Sequence, residues 1–455
     1  MAIILSHPEL AADRSPAPSY KVWLANLDKS DRIDKMNSTI RVDFGKNEDF
    51  LNAKERTTNC KEMMGKVHIA GVGMIPFMKP GTSDDYPEMG ANATRMALED
   101  AGLDFTKVQQ AYVGYVFGDS TCGQAALYRV GMPGIPMINV NNNCSTGSTA
   151  LFLARQAVES GTVDCALALG FEQMNRGALG AVNADRPDPL QRFHETATAT
   201  QGASEVPVAL KLFGGAGQEY QERYGIQDES FAKVTVKARA HAHKNPRAIF
   251  RDPVSVEEVL ASPKMYGSLT RLQCCPPTCG AAAALVCSAA FANQHGLDRS
   301  VIIRSQSMTT DFPSTFDEQS LMKVVGCEMA ATAAQQVYEG SGISPEDVDV
   351  VELHDCFTVN EVITYEALQL TPEGTADKFI QEDDNTYGGR VVVNPSGGLL
   401  SKGHPLGATG LAQCAELVWQ LRGHAGPRQV ENARIGLQHN LGLGGACVVT
   451  LYERV

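Results

Sequence analysis

This 455-residue chain lacks the features that mark membrane, secreted or nucleic-acid-binding proteins. No apolar run approaches the roughly 20 residues of a membrane-spanning helix; the nearest, Ala281–Ala292, is broken by Ser288. Positive charge is in deficit, with 39 Lys and Arg against 52 Asp and Glu, for a net charge of −13. That balance argues against a nucleic acid or an acidic lipid surface as partner. The 12 cysteines do not form a short secreted framework, so they read as reduced thiols in an intracellular compartment. Cys274-Cys275 and Cys279 offer neither a CxxC knuckle nor a second half-site, which excludes a structural zinc. Met1–Leu5 is apolar, but Pro8, Glu9 and Asp13 follow too soon for a secretory signal, and the early acids spoil an Arg-rich transit peptide. Tyr452-Glu-Arg-Val455 is not a peroxisomal tripeptide. What remains, 43% apolar and 20% charged, is an ordinary globular composition.

One stretch organises the rest. In Asn139-Val-Asn-Asn-Asn-Cys-Ser-Thr-Gly-Ser-Thr-Ala-Leu151, Cys144 stands between an Asn-rich turn and a helical pattern; Ala150, Leu151, Leu153, Ala154, Ala157 and Val158 mark the apolar face and Gly161 the end. Cys144 is therefore expected at or just before a helix N-terminus, with Ser145, Thr146 and Gly147 in the first turn. Such positions stabilise a thiolate and lower a cysteine pKa from about 8.5 to roughly 3.5–7.5. The competing reading is a buried cysteine packing as a small hydrophobe.

Residues 1–65 are polar with alternating charge and read as an N-terminal extension. From Lys66 onward strands and helices alternate: Val67–Ile75 and Ala111–Phe117 read as strands, Asn92–Ala101 as a helix capped by Gly102, and Cys165–Gly170 as a further strand. This is the pattern of a parallel-sheet α/β unit. The second half repeats it. Gly102, Val108 and Phe117 match Gly342, Val348 and Phe357 at one constant offset, and Cys144, Gly147 and Thr149 match His404, Gly407 and Thr409 at another. Val67–Phe77 and Val301–Phe312 match more weakly as opening strands. Two equivalent βαβαβ halves would bring Cys144 and His404 face to face across a pseudo-twofold axis. The halves span 66–171 with 266–299, and 300–455.

Between them, residues 172–265 carry a local basic concentration that includes Arg176, Arg186, Arg192, Lys211, Lys233, Lys237, Arg239, His241, His243, Lys244 and Arg247. This inserted loop domain either grips an anionic ligand or is a solvated helical surface. Cys274–Ala290 returns to core-like sequence and reads as a buried strand.

Three more clusters sit where ligands gather in α/β folds, at strand ends and helix starts. Asp349-Val-Val-Glu-Leu-His-Asp-Cys-Phe357 runs a strand into His354, Asp355 and Cys356. A Gly-rich turn places His404 before the helix Leu411–Leu421, and Gln438–Ala446 is a glycine-dense turn whose backbone N–H groups can approach a reacting oxygen. A nucleophile, an imidazole, a second thiol and N–H donors are the parts of acyl transfer through a cysteine.

From Lys66 to Val455 these motifs resemble the thiolase superfamily, specifically the thiolase part of the sterol-carrier-protein-2 thiolases. The residues responsible are Tyr115-Val-Phe-Gly-Asp-Ser-Thr-Cys-Gly123, Asn141-Asn-Asn-Cys-Ser-Thr-Gly-Ser148, His354-Asp-Cys-Phe357, Asn394-Pro-Ser-Gly-Gly398 and Gly403-His-Pro-Leu-Gly-Ala-Thr-Gly410. The resemblance implies a five-layered α-β-α-β-α core with a loop domain, usually a homodimer. It also implies coenzyme A as substrate, no permanently bound cofactor, no metal, and a mitochondrial or peroxisome-type compartment.

It further implies that Cys144 is the nucleophile and His404 the group that takes its proton. His354 stands where most thiolases have the Asn of an Asn-Glu-Ala-Phe motif. Cys356 replaces the second catalytic cysteine, because the usual Cys-x-Gly reads Gly442-Leu-Gly444 here. The N–H groups of Cys144 and Gly444 would form one oxyanion hole, and His354 with His404 the other. Ser401 and Gly403 would lie against coenzyme A. Cys279 stands where relatives commonly have Asp, which would disturb loop-domain packing, and the lipid-carrying module of some relatives does not follow. The implied activity is reversible thiolysis of 3-oxoacyl-CoA, giving acetyl-CoA or, from 2-methyl substrates, propionyl-CoA. Two alternatives stay open: a decarboxylating condensing enzyme, which also uses a cysteine and two histidines, and a non-catalytic acyl-CoA or lipid carrier.

Overall fold

The computed structural model describes residues 66–175 and 185–455; the expected N-terminal extension and Arg176 lie outside them. The strands are β1 (Val67–Met74), β2 (Gln110–Gly114), β3 (Met137–Val140), β4 (Cys165–Glu172), the small hairpin β5 (Lys264–Tyr266) and β6 (Leu269–Thr270), then β7 (Gly280–Ser288), β8 (Val301–Thr309), β9 (Val350–Glu352), β10 (Val392–Val393), β11 (Ile435–Gly442) and β12 (Ala446–Arg454). Ten of them form one hydrogen-bonded sheet in the order β10-β9-β11-β12-β8-β1-β7-β4-β2-β3. The halves repeat the same order outward from the centre, so β1, β7, β4, β2 and β3 correspond to β8, β12, β11, β9 and β10. Within the sheet they meet through the short pairing of Val67 and His68 with Ile303 and Ile302.

The strands are not all parallel, as the alternating pattern suggested. β3, β2 and β4 run parallel, as do β10, β9 and β11. In each half one strand, β7 or β12, runs antiparallel to both of its neighbours. β11 and β12 are joined by a hairpin, which forces that direction. β4 and β7 are buried residue after residue, apart from the last of β7, because both faces are covered.

Seven helices position the layers: α1 (Tyr86–Ala101), α2 (Thr146–Glu159), α3 (Val208–Tyr224), α4 (Asp228–His243), α5 (Cys327–Ser341), α6 (Thr358–Ala367) and α7 (Thr409–Arg422). α1 covers β1 and β7 from one outer side, and α5 covers β8 and β12 from the other. α2 and α7 pack on each other and on strands of both halves, making the middle of five layers. α1 starts before Asn92 because Pro87 occupies its first turn, where a missing N–H costs nothing. Gly102 closes it in the left-handed region at φ 64°.

The inserted segment carries α3 and α4 over the second half, where Phe213 stacks on Phe357 at 4.8 Å. Much of its positive charge is used internally. Lys237 is buried against Glu361, Tyr365 and the Val393 carbonyl. Lys211 donates to the Gly202 carbonyl and His241 bonds Asn394 and Thr386. Lys244 and His243 stay exposed. Cys279 packs without disturbance: it is fully buried, pairs with Met78 and its thiol lies 3.4 Å from the Met174 carbonyl.

Candidate active site

Cys144 lies in the turn between β3 and α2, immediately before the cap residue Ser145. The turn is tight. Asn143 is left-handed at φ 51°, a conformation Asn tolerates better than most residues, and its side chain donates to the Leu443 carbonyl at 3.0 Å. That bond ties the cysteine turn to the β11–β12 hairpin of the other half. The expected depression of the thiol pKa is absent. Burial pushes Cys144 up to about 12, and the nearby Glu172 carboxylate adds to the rise. The residue keeps some surface, yet its sulfur is desolvated. A rise from 9.0 to about 12 corresponds to about 4 kcal/mol at 1.36 per unit, whereas a helix end supplies about 0.3–2 kcal/mol; burial wins.

His404 precedes α7 and is buried. Its Nδ1 lies 2.7 Å from the Thr409 hydroxyl, which itself donates to the Pro405 carbonyl at 2.9 Å. A hydroxyl has one proton, so Thr409 accepts from His404 Nδ1–H, and Nε2 carries the lone pair. Nε2 has no hydrogen-bond partner among the described residues. His354 follows β9, and its ring lies edge-on to that of His404 at 5.0 Å between centroids. One ligand atom each from Cys144, His354 and His404 falls within a mutual distance of 4.8 Å. Burial holds the His404 imidazole down at about 3 and that of His354 well below its usual value, with His404 and His439 adding to the latter. At neutral pH the site therefore rests as a neutral thiol between neutral imidazoles. Attack by sulfur requires transfer of its proton in the same step, and an unpartnered imidazole nitrogen suits that role.

Cys356 is buried behind His354, and its thiol is raised well above the usual range by burial and by the nearby sulfurs of Cys275 and Cys144. The Cys275 N–H donates to the Cys356 carbonyl at 2.8 Å. Gly442 is glycine for a reason of space: a Cβ there would sit 2.3 Å from the Asn142 carbonyl oxygen. Gly444, at φ 98°, turns the β11–β12 hairpin beside the Cys144 turn. Ser401 and Gly403 are buried in the backbone turn leading to His404. The Ser401 hydroxyl has no partner among the described residues, and Gly403 at φ 118° passes close to Thr278.

Three residues at this junction escaped the motif reading. Glu172, at the end of β4, accepts backbone N–H groups from Val116, Phe117 and Gly407, each at 3.0 Å. It thereby clamps the His404 turn to the first half. Asn440 on β11 donates to the Cys144 carbonyl at 3.2 Å and faces His354 Nδ1 at 3.0 Å. His439 Nδ1 accepts the His354 backbone N–H at 3.4 Å. His439 and Asn440 lay within the glycine-dense turn singled out above, but alternation within a strand cannot say which side chain meets a partner from the other half.

The three donor atoms of Cys144, His354 and His404 are also a set that soft divalent ions favour. One of the His354 nitrogens, Nδ1, is already engaged by the Asn440 amide nitrogen at 3.0 Å.

Comparison with known proteins comes in three parts. A family profile described as "Thiolase, N-terminal domain" matches residues 67–290, and one described as "Thiolase C-terminal domain-like" matches 314–452. "Sterol carrier protein 2" of Homo sapiens is 55% identical over 392 residues, covering 85% of this chain and 72% of that protein. Among solved structures, an "Ltp2-ChsH2(DUF35) aldolase" superposes with a TM-score of 0.73 at 22% identity, over 86% of this chain and 98% of the other. Human mitochondrial 3-ketoacyl-CoA thiolase in complex with CoA superposes at 0.65 and 16% identity, over 86% and 99%. An aldolase and a thiolase share this fold, so the reaction has to be argued from the site.

Proposed function

The chain belongs to the thiolase family of acyltransferases, and from that premise we propose that it is a 3-oxoacyl-CoA thiolase working through an acyl-Cys144 intermediate. The observation that carries this is the grouping of the Cys144 thiol with His354 and His404 where the two halves meet. Cys144 Sγ attacks the 3-oxo carbon while its proton passes to His404 Nε2. The C2–C3 bond then breaks, C2 takes a proton from Cys356, and acetyl-CoA leaves. A second coenzyme A gives its thiol proton to Cys356 and attacks the acyl group. Cys144 departs, recovering its proton from His404, so the enzyme returns to its starting state. The N–H groups of Cys144 and Gly444 stabilise the oxyanion on the acyl carbon, and His354 with His404 the substrate thioester oxygen; one such donor is worth about 3–4 kcal/mol. Substrates branched at C2 would release propionyl-CoA.

The competing reading, a decarboxylating condensing enzyme, shares a cysteine and two histidines but has no task for a thiol at Cys356, whose burial beside Cys144 favours thiolysis. Coenzyme A and acyl-CoA are the partners, and all eleven cysteines among the described residues are free thiols, in keeping with a reducing intracellular compartment. No helix among the described residues is long and apolar enough to cross a membrane. A homodimer fits the open side of β3, one of the two edge strands of the sheet, with Tyr128 and Met132 exposed in the segment that leads into it.

The test is purified protein with coenzyme A and a panel of linear and 2-methyl-branched 3-oxoacyl-CoA esters, followed by loss of 3-oxoacyl-CoA and appearance of acetyl- or propionyl-CoA. Turnover of a malonyl thioester with no cleavage of any 3-oxoacyl-CoA would overturn the assignment.

A further inference from the structure

Resting on that reading of the site, we propose that Asn440 is a positioning residue that fixes the proton of His354 on Nε2, so that His354 serves as hydrogen-bond donor to the reacting oxygen and His404 alone as base. Asn440 is fully buried on β11. Its side-chain nitrogen lies 3.2 Å from the Cys144 carbonyl oxygen and 3.0 Å from His354 Nδ1. A carbonyl oxygen can only accept, so the atom facing it must be the amide NH2; the reversed amide would set oxygen against oxygen. The amide oxygen has no partner among the described residues, so reversal would give up the bond to the Cys144 carbonyl and gain none in exchange. With an N–H directed at His354 Nδ1, that nitrogen is the acceptor, and a neutral imidazole then carries its proton on Nε2.

His404 is held in the opposite tautomer by Thr409, which accepts from Nδ1 because its own proton goes to Pro405. Two buried imidazoles 5.0 Å apart at 89° thus present different faces to one space, an N–H from His354 and a lone pair from His404. Residue type alone does not distinguish them; the partner on each Nδ1 does. The same amide also binds the Cys144 carbonyl, so one side chain of the second half aligns the donor with the turn that carries the thiol. Space around it is tight: a Cβ on Gly410 would lie 2.6 Å from the Asn440 oxygen.

The direct test is 15N NMR of the full chain labelled at histidine nitrogen, with His354 assigned by comparison with His354→Gln. The expected spectrum shows His354 protonated on Nε2 and His404 on Nδ1; a wild-type His354 protonated on Nδ1 overturns the proposal without need of any Asn440 variant. In Asn440→Asp the carboxylate accepts from Nδ1–H, so the His354 tautomer should invert and kcat fall about 10²–10³-fold, the loss typical of one oxyanion donor, with KM changed far less. Asn440→Asp with wild-type kcat overturns it too. Failure of the thiolase assignment reads out separately, as wild-type protein that cleaves no 3-oxoacyl-CoA, and leaves the tautomer measurement intact.

Discussion

Replacing Glu172 by Ala strikes the junction of the two halves without touching a reacting atom. The carboxylate is 1% exposed and accepts three backbone N–H groups at 3.0 Å, two from the Val116–Phe117 turn and one from Gly407. Alanine leaves all three donors unpaired, the Gly407 N–H fully buried and those of Val116 and Phe117 partly so. At about 1–3 kcal/mol each, offset by relief from burying a carboxylate, the net loss should be about 3–5 kcal/mol. Gly407 lies three residues beyond His404, and its neighbours leave no slack: a Cβ there would meet the Phe171 and Gly114 carbonyl oxygens at 2.4 and 2.8 Å. Freed from Glu172, the turn carrying His404 loses its placement, so kcat should fall as well. Urea unfolding of wild type and variant gives the stability change, and hydrogen exchange at the Gly407 amide should show lost protection. Glu172→Gln keeps one acceptor oxygen but sets an NH2 against at least one N–H, so it should fall between the two. Burial holds the Glu172 carboxyl at about 7, above the usual 4.5. As pH rises from 4.5 the unfolded chain therefore releases this proton before the folded one, and the group's contribution to stability declines up to pH 7. The advantage of wild type over Glu172→Gln should narrow across that window. Stability within 1 kcal/mol of wild type and unchanged kcat in Glu172→Ala would show that the clamp is not what holds the turn.

Other substitutions probe the remaining parts. Cys356→Ala should lower kcat by at least about 10²-fold, in the range of a lost general acid–base group, and should slow, without abolishing, acyl transfer to Cys144 from a simple acyl-CoA, because coenzyme A then leaves as an unprotonated thiolate; steady-state rates and single-turnover labelling measure the two. Gly442→Cys, which restores the family's more common sequence, should not rescue Cys356→Ala, because its Cβ collides with the Asn142 carbonyl at 2.3 Å; the double variant should be no more active and less stable by thermal melting. Glu361→Gln strands the buried Lys237 ammonium and should cost about 3–5 kcal/mol, measured by urea unfolding.

Much of the fold was legible because a duplication repeats its spacing. Gly102, Val108 and Phe117 find their counterparts in Gly342, Val348 and Phe357, and the structure answers with β2 and β9 at the same place in mirrored strand orders. The antiparallel pairs were not legible, since a buried strand such as Ala281–Cys287 carries no mark of direction in its sequence. Cys144, His354, Cys356 and His404 were readable as chemistry-bearing residues at strand ends and helix starts. Glu172 and Asn440 were not, because each acts on a backbone group brought over from the other half, Gly407 N–H and the Cys144 carbonyl. The direction of the Cys144 pKa shift was misjudged for a related reason. The helix end is written locally in Ser145 and Thr146, while the desolvation that overrides it comes from the distant segments packed around the thiol.

The claim at the centre is that the acyl group rides on Cys144. Full-length protein incubated with an acyl-CoA, quenched in acid and digested should yield the Cys144 peptide heavier by one acyl group, and the adduct should disappear on addition of coenzyme A. Cys144→Ala should give no adduct, while Cys356→Ala should still give it. An acyl group found on Cys356 or Cys275 instead, or steady-state thiolysis by Cys144→Ala, would mean that the nucleophile has been misassigned.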